Sequence, residues 1–118
     1  MANVYVNGFY TPTQAGLPET VFTCPDETTT IFQTLQLVNV SGSKNVSVYI
    51  EDFSTSALNR IAYVEFDGPL ITNVFKGSIV LEEKDVLKIE TSDPSGISGT
   101  TAALETTRIY IPQGAGAS

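Results

Sequence analysis

At 118 residues the chain is one domain, and its 42% hydrophobic content with near-neutral mean hydropathy is that of a globular protein. Its formal charge of −7, from 13 acidic and 6 basic residues, argues against a nucleic-acid partner, because Lys44, Arg60, Lys76, Lys84, Lys88 and Arg108 are scattered among carboxylates instead of forming a basic stripe. No apolar run approaches the ~20 residues of a membrane span and no basic-then-apolar leader opens the chain, so a protein without a membrane partner, made and kept in a cytoplasm, is expected.

Residues 1–19 carry Asn3, Asn7, Gly8, Pro12, Gly16 and Pro18 around a brief apolar alternation at Val4 and Val6. So many turn formers argue against a helix or a long strand, and the segment reads as an extended arm with at most one short strand. From Thr20 a sheet rhythm begins, and strands are predicted over 21–24, 30–40, 45–53, 58–66, 70–75, 78–82, 86–91 and 102–111. Turn-forming clusters separate them, among them Pro25-Asp26-Glu27, Ser41-Gly42-Ser43, Asp67-Gly68-Pro69 and Ser92-Asp93-Pro94-Ser95-Gly96. Val46, Val48 and Ile50 alternate with Ser47, Tyr49 and Glu51, as a half-buried strand requires. Ile79 and Leu81, then Leu87 and Ile89, read as one hairpin around the polar Glu82-Glu83-Lys84-Asp85.

Residues 56–66 have a helical alternative, since Leu58, Ile61, Ala62 and Glu65 are helically spaced. The β-prone Tyr63-Val64-Glu65-Phe66 favours strand. The expected fold is an all-β antiparallel sandwich, jelly-roll or immunoglobulin-like, of about eight strands over 20–111, with a flexible tail over 112–118. Its predicted core holds Leu35, Leu37, Val46, Val48, Ile50, Ile79, Leu81, Leu87, Ile89 and Ile109.

Candidate chemistry is sparse. The chain has no histidine and no tryptophan, which removes the commonest general base and every Ser-His or Cys-His arrangement. Glu51-Asp52 and Glu82-Glu83-Asp85 are the carboxylate groups a hydrolase could use. Adjacent strand residues face opposite ways, however, and turn carboxylates are normally solvated. Asp52, Asp67, Asp85 and Asp93 lie in or beside loops without the spacing of a dedicated calcium loop, so neither a metal nor a cofactor is expected. Cys24, the single cysteine, reads as a small buried hydrophobe. Asn39-Val40-Ser41 and Asn45-Val46-Ser47 match the glycosylation acceptor pattern, which matters only in a secreted protein.

Thr20-Val21-Phe22-Thr23-Cys24-Pro25, then Thr28-Thr29-Thr30-Ile31, Leu37-Val38-Asn39-Val40-Ser41-Gly42 and the long run from Phe75-Lys76-Gly77 to Leu87-Lys88-Ile89 resemble a family of small virion proteins of tailed bacteriophages, frequent among phages of marine and cyanobacterial hosts. That family's hairpin reads Leu-Glu-x-Gly-Asp-x-Leu, and Lys84 stands here where it has glycine; a positive φ at that point would strain the lysine. The resemblance implies a non-enzymatic virion component, most simply a capsid decoration (cement) protein present in the host cytoplasm during assembly. Its partner would be the major capsid protein or another virion protein, and it would be a homo-oligomer, with a trimer implied by threefold lattice positions. Docking is expected through the arm (Val4, Val6, Phe9, Tyr10) and through loop ends whose Asp52, Glu82, Glu83 and Asp85 meet basic groups on the shell. The alternative is a receptor- or glycan-binding module on a tail, neck or fibre. Exposed aromatics would favour it, and Tyr49 and Tyr63 buried in the core would count against it.

Overall fold

The computed structural model describes residues 2–75 and 77–107, with side chains from Tyr5 to Thr106 other than Lys76. Among them, nine strands form two antiparallel sheets: β1 (Ala2–Tyr10), β2 (Glu19–Thr23), β3 (Thr28–Asn39), β4 (Lys44–Glu51), β5 (Leu58–Phe66), β6 (Leu70–Asn73), β7 (Ile79–Leu81), β8 (Val86–Thr91) and β9 (Ile97–Thr107). The first sheet runs β1-β9-β3, and β6 and β7 share the far edge of β3, paired to its residues 36–39 and 30–32. The second runs β2-β8-β4-β5. Taking β6 and β7 as one interrupted strand, the first strand pairs with the last, the second with the next to last, and so inward to β4 with β5. This is a long hairpin wrapped on itself, the jelly-roll connectivity, and not the immunoglobulin one.

The core follows from inward alternation on both sheets. Phe32, Leu35 and Leu37 of β3 face Val46, Val48, Phe66, Leu87 and Ile89 across the sandwich, all buried. Phe32 and Leu35 share a face although three residues apart, because β3 bulges at Gln33 against β9 and the phase shifts by one. Phe22 of β2 meets Phe32 edge-on at 5.2 Å between ring centroids, tying the sheets together. Of the expected core, Leu35, Leu37, Val46, Val48, Leu81, Leu87 and Ile89 are buried, and Ile50 and Ile79 are partly buried against them. Ile109 and the tail over 112–118 lie outside the described residues. Cys24 is buried, its Sγ 3.2 Å from the Thr28 carbonyl and 3.3 Å from the Thr30 hydroxyl. Burial pushes its thiol pKa up, which keeps it protonated and inert.

Three expectations need correction. Residues 79–89 are not a hairpin: β7 pairs with β3 in the first sheet and β8 with β2 and β4 in the second, so the 82–85 turn carries the chain across the sandwich. Leu81 and Leu87 still both face the core, which is why the alternation looked like two paired strands. Second, residues 2–10 are a nine-residue strand in register with β9, longer than the short strand expected there. Third, β9 begins at Ile97, not 102. Residues 58–66 are strand, as the β-prone run indicated.

Candidate interaction surfaces

The turns 24–27, 52–57 and 82–85 meet at one end of the sandwich. Cys24 exchanges backbone bonds with Lys84 (2.7 Å) and Asp85 (2.8 Å), and Phe53 donates its amide to Asp85 Oδ1 at 3.1 Å. Here lie Asp26, Glu27, Asp52, Glu82, Glu83 and Asp85, against Lys84 as the one cation among the described residues of these turns. The expected docking carboxylates are thus gathered, but each also has local work. Asp52 accepts from the Ser54 hydroxyl and amide, bonds that hold its pKa below the usual carboxylate range. Glu82 accepts from the Thr29 hydroxyl at 3.1 Å, Glu83 from the Glu27 amide at 2.9 Å, and Asp85 from the amides of Glu82 and Phe53. These bonds orient the carboxylates without removing their charge, so the end remains electronegative.

The opposite end is sewn by two buried polar residues. Asn39 donates to the carbonyls of Gly42 and Gly68, both at 2.9 Å, and Lys44 donates to the Ser95 carbonyl. Asn39 is only 2% exposed, so the first acceptor-like pattern offers no accessible amide.

The outer face of the first sheet is not legible in the sequence, because the turn formers among residues 1–19 disguise β1. Val6 and Tyr10 pack against the core, and Tyr5, Asn7 and Phe9 therefore point outward. Phe9 is 85% exposed and Tyr5 77%. Val4 stands opposite Glu105; its side chain is outside those described. Tyr5, Leu104, Ile31 and Val80 form one cross-strand row over β1, β9, β3 and β7, and Val38 and Ile71 form another apolar pair. A depression of about 210 Å³ between these rows is lined by Asn7, Thr34, Gln36, Asn73, Thr100 and Ala102 among others. None of the described strand side chains on this face is charged. The alternation Tyr5, Asn7, Phe9 against Val6, Gly8, Tyr10 was the available signal.

The outer face of the second sheet is of opposite character. Lys88 pairs with Glu51 at 2.7 Å, and Tyr49 donates to Glu90 at 2.8 Å. Arg60 lies over both tyrosine rings, 5.8 Å from the centroid of Tyr49 and 5.3 Å from that of Tyr63. Tyr49 and Tyr63 are thus on the surface and not in the core, flanking a cleft of about 300 Å³. Among the described residues, no cluster of three or more His, Cys, Asp or Glu is placed to hold a metal ion.

Compared with known proteins, the chain matches no protein-family model and no curated protein sequence.

Proposed function

We propose that this is a non-enzymatic structural component of a tailed-phage virion, a capsid decoration protein that forms homo-oligomers, with the trimer as the favoured state. The observation that carries the reading is the outer face of the first sheet, where none of the described strand side chains is charged. A chain with a formal charge of −7 repels its own copies, and this face is where two of them approach without opposing carboxylates. Exposed Tyr5, Phe9 and Val80 are aromatic and apolar anchors of the kind interfaces concentrate. The acidic end then meets basic groups of the major capsid protein or a neighbouring virion protein, and repeated copies add through avidity. The family resemblance of the 75–89 run and its neighbours supports the phage assignment.

The test is sedimentation of the purified chain alone and with phage capsids lacking it. An oligomer that co-sediments with capsids is expected, and Phe9→Lys should dissociate it without unfolding the subunit, since Phe9 is exposed. A strictly monomeric chain that binds neither capsid nor tail would sink the reading.

A further inference from the structure

We infer that the outer face of the second sheet holds a binding site for a neutral saccharide, with Ser47 at its floor and Tyr49, Arg60, Tyr63 and Glu90 around it. The register builds the cleft. Ser47 sits on the central strand β4 directly between Glu90 of β8 and Tyr63 of β5, while Tyr49 on the same strand stands between Lys88 and Arg60. A small residue among long ones leaves a depression. Ser47 is only 7% exposed, lines the cleft, and has no side-chain hydrogen-bond partner among the described residues. Its hydroxyl makes no bond within the described residues yet stays open to solvent at the cleft floor, so a ligand hydroxyl there would take the place of water.

The surrounding groups select the ligand class. Arg60 forms no ion pair among the described residues and presents guanidinium donors beside two aromatic rings. Glu90 uses Oε1 for the Tyr49 hydroxyl, which leaves Oε2 as an acceptor. Donors and acceptors therefore line the cleft together; the charges of Arg60 and Glu90 cancel, and Glu65, which accepts from the Tyr63 hydroxyl at 3.4 Å, stands at its rim. An anion gains nothing from Arg60 that Glu90 and the chain's net charge do not oppose. A cation meets Arg60, and an apolar molecule would bury Ser47 and Glu90 unsatisfied. A neutral polyol with an apolar C–H face matches all of it, hydroxyls to the polar groups and C–H to the tyrosine rings. A cleft of about 300 Å³ suits one or two sugar rings. The site faces away from the sheet proposed to join subunits and does not depend on that proposal.

The test is two-dimensional NMR of the full chain titrated with glucose, galactose, mannose and N-acetylglucosamine, with sialic acid as the anionic comparison. At least one neutral sugar should shift the amides of Ser47, Tyr49, Arg60, Tyr63 and Glu90 together. Tyr63→Ala and Ser47→Val should each weaken that binding about tenfold, the loss of one stacking or hydrogen-bonding contact. Tyr63 is 47% exposed, so its variant reports on binding even where Ser47→Val disturbs the sheet. No response to any neutral sugar, shifts gathered elsewhere, binding of sialic acid alone, or undiminished binding by Tyr63→Ala would each overturn the assignment.

Discussion

Lys84 holds a backbone conformation that glycine adopts freely, φ 69°, in the turn that carries the chain from one sheet to the other. The cost for a side chain there is about 1 kcal/mol. Against it stand the Lys84 ammonium over the Phe53 ring at 4.9 Å, worth roughly 0.5–1 kcal/mol at an exposed site, and a 4.0 Å approach to Asp26 between exposed groups, worth next to nothing. The two terms nearly cancel, so Lys84→Gly should leave stability almost unchanged. Lys84→Ala keeps the strain and loses the ring contact, and should fall about 1 kcal/mol below the glycine variant. Paired urea melts check this, and an alanine variant as stable as the glycine one would remove the strain argument. Glu19 offers a pH test. The Tyr10 hydroxyl at 2.6 Å, then the Thr13 hydroxyl and amide, hold its pKa below the usual carboxylate range. A depressed folded pKa contributes stability that is fully present above the unfolded value, near 4.3, and is lost as pH falls through the folded one. The Tm difference between wild type and Glu19→Gln should therefore shrink as pH drops from about 6 to about 3. A difference independent of pH would deny the carboxylate its role.

At the scale of elements, what the sequence hid is as informative as what it displayed. Alternation in β4 and β8 is plain because their apolar residues recur at every second position. The helical spacing of Ile61 and Ala62 has a physical origin in the sheet itself. β5 bulges at Ile61 against β4, placing two adjacent apolar residues toward the core. β1 and the start of β9 were concealed by Gly8 and Gly99, which look like turn formers but occupy crowded inward positions. A Cβ on Gly8 would lie 2.6 Å from the Thr101 hydroxyl oxygen, and one on Gly99 3.2 Å from Leu37. The candidate surfaces were half visible. The acidic turns could be named from sequence, whereas the uncharged strand face and the Ser47 cleft exist only once register sets strands side by side. β1 matters for stability as well as for surface. Deleting residues 2–10 exposes the β9 edge and removes the half-buried Val6 and Tyr10, roughly 2–3 kcal/mol of burial. Tm should drop by about 10 °C in the isolated subunit. An unchanged Tm would return the segment to the role of a docking arm.

Among the described residues the molecule separates its charge by region: an uncharged strand face on the first sheet, a mixed one on the second, where Lys88 and Arg60 stand beside Glu51, Glu65 and Glu90, and a concentrated negative end. Under the proposed function, that separation gives self-association and shell docking opposite responses to salt. Copies meeting through the neutral face are opposed by the repulsion of two −7 bodies, and salt screens it, with a Debye length of about 10 Å at ~0.1 M. Self-association should therefore tighten as sodium chloride rises through this range. Docking of Asp52, Glu82, Glu83 and Asp85 onto basic groups relies on attraction between exposed charges, and the same screening should weaken it. Sedimentation equilibrium of the free protein and co-sedimentation with capsids, run over one salt series, measure the two slopes separately. Opposite signs are the expected outcome. Capsid binding that tightens with salt would move shell docking onto the neutral face, where Tyr5 and Phe9 would carry it, and self-association that loosens with salt would take the neutral face out of the subunit interface.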